Sequence, residues 1–219
     1  MNGKLIVIEG LDGSGKSTQL ARLRDNLGEQ NTRYIKFPDY ESDSSALVRM
    51  YLAGHFGDKP GDVGAYAASA FYAVDRYASY KTDWGKDLAD GRVILCDRYA
   101  TSNAIHQTGK LPENEWADYV DWLYDFEFGK LGLPRPDAVI YLDMPIDVSQ
   151  RLMSGRYKGD EGKKDIHERD TDYLHHCRKA ALFAAERLGW QVVSCAEGNS
   201  PRTIDDIAAE VLKLAQSVL

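Results

Sequence analysis

The stretch EGLDGSGKST at residues 9–18 constrains the fold of this chain more than any other part of the sequence. It follows the apolar run KLIVIE and precedes leucines at helical spacing, so a strand, a glycine-rich loop and a helix succeed one another. Gly10, Gly15, Lys16 and Ser17 have the spacing of a P-loop. The glycines let backbone N–H groups turn inward as an anion nest, and the helix N-terminus adds its positive dipole. The sequence therefore predicts a phosphate site between the first strand and the first helix.

The P-loop pattern also predicts how a nucleoside triphosphate and its magnesium ion would be held. Lys16 would reach the outer phosphates, and the Ser17 hydroxyl would be a magnesium ligand. Asp12 is not needed by the nest and opposes it electrostatically, so it needs another task. A glycine-rich turn with a surface lysine is the alternative, which the strand–loop–helix context disfavours. The residues expected to bind ATP in this loop are Gly10, Asp12, Gly13, Ser14, Gly15, Lys16, Ser17 and Thr18.

Five short apolar runs separated by helical patterns predict the fold class. They are KLIVIE, RYIKFP, RVILCD, DAVIYLD and WQVVSC. Alternation of strands and helices indicates a parallel sheet, and runs that are apolar on both faces indicate helices on both sides. We expect a three-layer α/β/α P-loop fold with a five-stranded parallel sheet, and residues 1–219 as a single domain.

Charge and composition exclude several classes of function. The 219 residues carry a formal net charge of −7, which argues against nucleic acid or an anionic membrane as a partner. The N-terminal apolar run is too short for a signal peptide, and no apolar run has the length of a membrane span, so we expect a cytoplasmic protein. Cys96, Cys177 and Cys195 are widely spaced and are expected to be small core residues.

A second magnesium ligand is expected among the acidic residues that end the strands. Asp97 ends RVILCD, and Asp143 ends AVIYLD. Ligand sites of α/β proteins form at the carboxyl ends of strands, and Asp97 is followed at once by Arg98 and Tyr99. We favour Asp97 for this reason, whereas Asp143 could cap the next turn.

The segments LDGSGKST, KFPDY, FYAVDR and DRYATSNAIHQ, in this order, resemble the thymidylate kinase family of P-loop nucleoside monophosphate kinases. The resemblance covers nearly the whole chain, and the Asp-Arg-Tyr triplet followed by Ser102, Asn103 and Gln107 is its most specific part. It implies transfer of the γ-phosphate of ATP to dTMP with Mg2+. It also implies a homodimer formed through helices that flank the sheet.

The acceptor base has a candidate site on the long helical pattern before residue 90. Tyr72 and Arg76 are four residues apart and share a helix face, so a ring that stacks on a base would lie beside a donor to its carbonyl edge. The adjacent Phe71 is an alternative stacking ring, and both aromatic residues could instead belong to the core. The resemblance assigns Tyr72 and Arg76 to thymine, Phe37 to the other wall of the pocket, and Tyr40 to the acceptor phosphate.

Two further charged residues have expected roles at the reacting phosphates. Arg98 would neutralise both the acceptor phosphate and the transferred group with its planar fork, although a surface salt bridge is the alternative. The resemblance assigns Asp12 to the 3′-hydroxyl of the deoxyribose. His106 stands where many members of the family have tyrosine, so the screening of the sugar 2′ position is open.

Residues 151–170 are rich in glycine and in both signs of charge, which is typical of a solvated loop. Their place in the chain is that of the lid that closes over ATP in monophosphate kinases. The family takes a catalytic arginine from either the P-loop or the lid, and residues 12–14 are Asp-Gly-Ser, so we expect the lid to supply it as Arg156. Arg151 resembles the residue that packs on adenine.

Rival functions remain open at this stage. A deoxynucleoside kinase would phosphorylate a hydroxyl and would need a general base such as Glu9 or Asp39. Another nucleoside monophosphate kinase, or a regulatory nucleotide-binding protein without turnover, would keep the P-loop. A monophosphate acceptor is already anionic, so positioning and charge stabilisation can carry catalysis without a strong base.

Overall fold

The computed structural model describes residues 3–157 and 171–219, except for the side chains of residues 154–157. Within these ranges five parallel strands form one sheet in the order β2-β3-β1-β4-β5. The strands are β1 (Lys4–Glu9), β2 (Thr32–Lys36), β3 (Val93–Asp97), β4 (Ala138–Asp143) and β5 (Gln191–Ser194). Each strand coincides with one of the five apolar runs, and β2 begins one residue before its run, so the predicted parallel sheet is confirmed.

Helices cover both faces of this sheet. They are α1 (Lys16–Leu27), α2 (Ala46–Leu52), α3 (Ala65–Ser79), α4 (Gly85–Ala89), α5 (Thr101–His106), α6 (Trp116–Tyr124), α7 (Ile146–Tyr157), α8 (Thr171–Leu188) and α9 (Ile204–Gln216). The helix α3 continues through a π-helical segment, Tyr80–Trp84, into α4. None of the helices in the described ranges is long and apolar enough to cross a bilayer.

Two hydrophobic cores lie on opposite faces of the sheet. Leu5 and Val7 of β1 belong to the core shared with α5, α6 and α8. Ile6 and Ile8 belong to the core shared with α1 and α9. Successive side chains of a strand point to opposite faces, so a strand buried on both sides reads as a continuous apolar run. The predicted three-layer architecture is confirmed.

The strand order places the functional loops at one edge of the sheet. β1 lies between β3 and β4, and Ile8 of β1 pairs in register with Asp97 of β3. The chain runs to one side after β1 and later to the other, so the order reverses there and a crevice opens at the carboxyl ends. The P-loop and the segment after Asp97 meet in this crevice.

The last helix begins later than its sequence signals suggested. In the sequence, Ser200 followed by Pro201 and two aspartates predicts that the last helix starts at Ser200. In the structure Ser200 and Pro201 instead form a short strand β7 (Ser200–Pro201), which pairs with β6 (Ala196–Glu197). The Thr203 hydroxyl accepts the backbone N–H of Asp206 at 3.1 Å and caps α9. Thr203 supplies the side-chain cap that Ser200 was expected to give.

The three cysteines are buried and form no disulfide with one another. Cys96 and Cys177 lie in the core that contains α5 and α8, and Cys195 lies in the opposite core. The expectation that they are small core residues is confirmed.

Candidate active site

The P-loop turns between β1 and α1 as a glycine-dependent nest. Gly13 and Gly15 have φ angles of 79° and 92°, in the left-handed region that side chains avoid. A Cβ on Gly10 would lie 2.4 Å from the Ser14 Oγ, so a larger residue would collide there. The backbone thus forms the concave loop that the glycine spacing predicted.

Lys16 is folded onto this loop. Its Nζ donates to the carbonyl oxygens of Gly10 at 2.9 Å and Leu11 at 3.2 Å, and lies 3.9 Å from an Asp12 oxygen. Burial and the neighbouring Arg98 lower the pKa of Lys16 to about 8. An anion in the nest would offset both effects, since it stabilises the charged ammonium.

A cavity of about 520 Å³ extends from the P-loop along the edge of the sheet. At one end it is lined by charged groups from three strand ends: Asp12 and Lys16 after β1, Lys36 of β2, and Asp97 and Arg98 at β3. The rest of the wall is more apolar, with Met144, Leu152, Pro201, Ile204 and Ile207 beside one further cation, Arg202. The cavity is therefore suited to a ligand with an anionic part and a less polar part.

Asp97 and Ser17 meet at the charged end. The Ser17 Oγ lies 3.5 Å from Asp97 Oδ2, and the Tyr34 hydroxyl donates to the same oxygen at 3.5 Å. Asp97 Oδ1 is buried and has no hydrogen-bond partner among the described residues. A hydroxyl and an unsatisfied carboxylate oxygen fit Mg2+, which prefers oxygen ligands and takes few of them from protein.

The alternative carboxylate, Asp143, is committed elsewhere. Arg178 donates to both of its oxygens, at 2.7 and 2.8 Å. Asp143 also does not line the cavity. The geometry therefore favours Asp97, as the sequence did.

Arg98 connects the P-loop to α5 through its guanidinium. Its Nη2 donates to Asp12 Oδ1 at 2.6 Å and its Nη1 lies 2.9 Å from His106 Nε2. Because a guanidinium only donates, His106 Nε2 is the acceptor. Burial opposes ionisation of Asp12, but Arg98 and Lys16 hold the pKa of this carboxyl well below its usual range. The φ angle of Arg98 is 68°, in the left-handed region although it is not a glycine.

Glu9, the last residue of β1, is fully buried behind Arg98. It accepts the backbone N–H of Tyr99 at 3.2 Å and the hydroxyls of Thr101 at 2.6 Å and Ser102 at 2.8 Å. Burial raises the pKa of Glu9 although Arg98, Thr101 and Ser102 act in the opposite direction. Glu9 thus ties the P-loop strand to the start of α5, a role that sequence reasoning missed. The Ser102 hydroxyl donates its hydrogen bond to this carboxylate, and the expected contact of Ser102 with substrate stays a prediction.

Arg76 is almost inaccessible, with 1% of its surface exposed. Its Nε donates to Glu127 Oε2 at 3.1 Å and its Nη2 donates to Glu127 Oε1, while Nη1 lies 3.5 Å from the Tyr99 carbonyl oxygen. Asn103 Nδ2 also reaches Glu127 Oε1, at 3.5 Å. Sequence reasoning missed Glu127, which lies in the apolar and aromatic run WADYVDWLYDFEF at residues 116–128. This run is compatible with either the core or an interface, and it holds three aspartates besides Glu127, so no local signal singled Glu127 out.

The aromatic residues expected at the acceptor pack against other rings. Phe37 is buried with its ring centroid 6.1 Å from that of Tyr99. Tyr72 packs edge-on to Tyr51 at 6.4 Å, and Phe71 packs on Phe56 at 5.6 Å. Both candidate stacking rings are thus partly buried, and the choice of Tyr72 stays a prediction.

Gln107 and Tyr40 differ in their surroundings. Gln107 is buried, and its Oε1 has no hydrogen-bond partner in the part of the chain that the structure describes. Tyr40 is 47% exposed, and its carbonyl oxygen accepts from Arg49 at 2.8 Å. The expected contact of Gln107 with the substrate stays a prediction. The expected contact of Tyr40 with phosphate stays a prediction.

The expected lid falls largely outside the described residues. The side chain of Arg156 and residues 158–170 belong to that part. Arg151 lies on α7, is exposed, and donates to the carbonyl oxygen of Asn199 in the turn between β6 and β7. It therefore lies near the more apolar part of the cavity wall, where Pro201 is also found.

Comparison with known proteins identifies relatives of the chain. A family model for thymidylate kinase matches residues 8–203. A thymidylate kinase of Mycobacterium tuberculosis (strain H37Rv) is 33% identical over 192 residues, which cover 85% of this chain and 87% of that protein. The Caenorhabditis elegans thymidylate kinase is 33% identical over 160 residues, 67% of this chain and 66% of that protein. A solved thymidylate kinase of Candida albicans has the same fold, with a TM-score of 0.71 at 21% identity over 99% of this chain and 92% of that one.

Proposed function

Because the chain belongs to the thymidylate kinase family, we propose that it transfers the γ-phosphate of ATP to dTMP, forming dTDP and ADP in nucleotide biosynthesis. The observation that carries this proposal is the cavity in which a P-loop, Asp97 and the Arg98–Asp12 pair converge. The P-loop and Asp97 are suited to a triphosphate, and the Arg98–Asp12 pair is suited to an anionic acceptor that carries a sugar.

The transfer proceeds in line. An anionic phosphate oxygen of dTMP forms a bond to the γ-phosphorus, while the bond from that phosphorus to the β–γ bridging oxygen breaks and its electron pair leaves with ADP. No proton has to be removed from the nucleophile, so no strong general base is required. Catalysis then rests on alignment of the two anions and on stabilisation of the charge that develops between them.

The residues of the P-loop hold the donor. The nest of Gly10, Gly13 and Gly15 presents backbone N–H groups to the phosphates, and Lys16 leaves the loop carbonyls to bind outer oxygens. Ser17 and Asp97 would hold Mg2+, which neutralises charge on the bridged phosphates when bound. Arg151 would pack on adenine, and Arg156 would bring a lid cation to the phosphates. The remaining loop residues of the donor site are Asp12, Ser14 and Thr18.

The acceptor residues hold dTMP. Arg98 binds its phosphate, Asp12 binds the 3′-hydroxyl, and Tyr40 contacts the phosphate from the second strand. Tyr72 and Phe37 form walls for the base, and Arg76 donates to its carbonyl edge. Within the described part of the chain, Nη1 of Arg76 has a single long contact, 3.5 Å to the Tyr99 carbonyl oxygen, which favours this role. Asn103 and Gln107 complete the polar part of the pocket, with Ser102 behind them.

The wider organisation follows from the same family. We expect residues 1–219 to act as a single kinase domain and to form a homodimer through α3. Tyr66, Val74 and Tyr77 lie on one exposed face of α3, with exposures of 45%, 54% and 40%, and such an apolar stripe favours a protein contact. A molar mass of one chain by light scattering would refute the dimer. The three reduced cysteines favour the cytoplasm as location.

One set of incubations separates the candidate functions. The protein is mixed with Mg2+, ATP and either dTMP, dUMP or thymidine, and the products are separated by anion exchange. We expect dTDP and ADP with dTMP and no product with thymidine. A deoxynucleoside kinase is disfavoured because Glu9, a base it could use, is buried and bound by Thr101 and Ser102. Product from thymidine alone, or ADP in no mixture, contradicts the proposal.

A further inference from the structure

Lys36 is the last residue of β2 and the first residue of the segment KFPDY, but no role at the donor or acceptor has been given to it. It lies in register with Asp97 on the neighbouring strand β3, at the carboxyl edge of the sheet. Its side chain lines the same cavity as Lys16 and Arg98. A cation at this position therefore faces the cavity into which the P-loop would direct the phosphates of a ligand.

The pleat of β2 determines which face of the sheet Lys36 occupies. Ile35 belongs to the core of α5 and α8, so its neighbours on the strand point to the opposite face. Tyr34, two residues before Lys36, confirms this, because its hydroxyl reaches Asp97 Oδ2. Lys36 and Asp97 thus share the face on which α1 begins with Lys16 and Ser17.

Lys36 also differs from the other described cations of the cavity in its partners. Lys16 donates to the Gly10 and Leu11 carbonyl oxygens, Arg98 is paired with Asp12, and Arg202 is paired with Glu210. Lys36 is exposed and makes no ion pair or hydrogen bond with any residue of the described ranges. Its ammonium is free to bind a ligand without first giving up a protein partner.

We propose that Lys36 is a further catalytic residue, whose ammonium donates to a non-bridging oxygen of the phosphoryl group in transfer. This inference rests on the proposed function. The charge of Arg98 is partly neutralised by its ion pair with Asp12. The unpaired Lys36 in the same cavity therefore adds positive charge where the transition state gains negative charge. Lys36 moves no proton in the step: the dTMP oxygen forms its bond to the γ-phosphorus, and the electron pair of the broken bond leaves with ADP.

The test compares Lys36→Met, which keeps the length and removes the charge, with Lys36→Arg, which keeps the charge. We expect Lys36→Met to lower kcat by about 10- to 100-fold, as loss of one transition-state donor does, with KM for ATP and dTMP within about threefold. Lys36→Arg should recover most of this loss. The control is Lys213→Met, which removes an exposed lysine of α9 outside the cavity and should leave kcat unchanged.

Stability, KM and salt dependence distinguish a contact of Lys36 in the transition state from a structural role, ground-state binding or long-range attraction of the substrate. The unfolding midpoint of Lys36→Met should equal that of the unaltered protein, and a lowered midpoint with lost activity would assign Lys36 to structure and overturn the proposal. A rise in KM at unchanged kcat would also overturn it, because Lys36 would then bind the ground state only. If the loss of kcat in Lys36→Met disappears at about 0.3 M salt, the proposal is also overturned. Salt screens the long-range attraction of Lys36 for a charged substrate, whereas a direct contact to the phosphoryl oxygen persists.

Failure of this inference and failure of the proposed function give different results. If the unaltered protein makes no dTDP from dTMP, the function itself is wrong. If it makes dTDP and Lys36→Met does so at the same rate, only the role of Lys36 is wrong.

Discussion

The donor and acceptor halves of the site are held by different means. The proposed donor half is local in sequence: a glycine nest and the first turn of α1 would supply most of its phosphate contacts. The acceptor half is assembled from distant residues, and two buried carboxylates, Glu9 and Glu127, hold it together. A local motif tolerates changes elsewhere, whereas an assembled site depends on side chains that contact no substrate. Removing one group from each half tests this difference.

The largest expected effect is at Arg98, where the two halves meet. Arg98→Met should lower kcat/KM for dTMP by about 10³-fold or more, because a positioned arginine at a transferred phosphoryl group contributes on this scale. Binding of ADP to the P-loop, followed by calorimetry, should change by less than about threefold. Arg98→Lys keeps the charge without the planar fork, so its kcat/KM for dTMP should lie between those of Arg98→Met and the unaltered protein. Transfer to dTMP at an unchanged rate in Arg98→Met would contradict the whole assignment of the site.

The next effect concerns stability and belongs to the acceptor half. Glu127→Ala leaves the Arg76 guanidinium buried without its carboxylate, which costs about 3–5 kcal/mol of unfolding free energy in such pairs. Denaturant unfolding measures it. The double variant Arg76→Met with Glu127→Met should be more stable than Glu127→Ala, because no charge stays buried alone. Equal stability of Glu127→Ala and the unaltered protein would show that this pair does not support the acceptor half.

A smaller effect is expected in the donor half at Ser17. Ser17→Ala removes one proposed metal ligand and leaves Asp97, so the Mg2+ concentration for half-maximal rate should rise by about 10-fold. Steady-state rates over a magnesium titration measure this shift. The unfolding free energy should stay constant because, among the described residues, the Ser17 hydroxyl makes a single long contact, 3.5 Å to Asp97. An unshifted titration would remove Ser17 from the metal site.

The smallest effect is the pH dependence that comes from Glu9. Its pKa is raised by burial in the folded protein, so protonation stabilises the fold and ionisation destabilises it. As pH rises above 4.5, its ordinary value, the unaltered protein should lose stability relative to Glu9→Gln. One proton limits the slope of this difference to about 1.4 kcal/mol per pH unit. If the stability of Glu9→Gln relative to the unaltered protein stays constant or falls as pH rises, the raised pKa of Glu9 is contradicted.

The same contrast explains how much could be predicted from the sequence. The five strands and the P-loop follow from periodicity and glycine spacing, which are local properties. The pairing of Arg76 with Glu127 joins residues 51 positions apart, and the bond of Ser102 to Glu9 joins residues 93 apart. No local pattern marks such partners, since either carboxylate could have been solvated. The late start of α9 was also missed, because Ser200 and Thr203 are both suitable caps.

The backbone of Arg98 has a consequence for how such a chain can change over time. A left-handed conformation at a side-chain-bearing residue costs on the order of 1 kcal/mol, which glycine would avoid. Glycine at this position would relieve that cost, but it would also leave the Asp12 carboxylate without its guanidinium, which costs more than the backbone strain. The left-handed arginine and Asp12 therefore form one heritable unit, and a descendant freed from the proposed catalysis should lose both residues together rather than Arg98 alone.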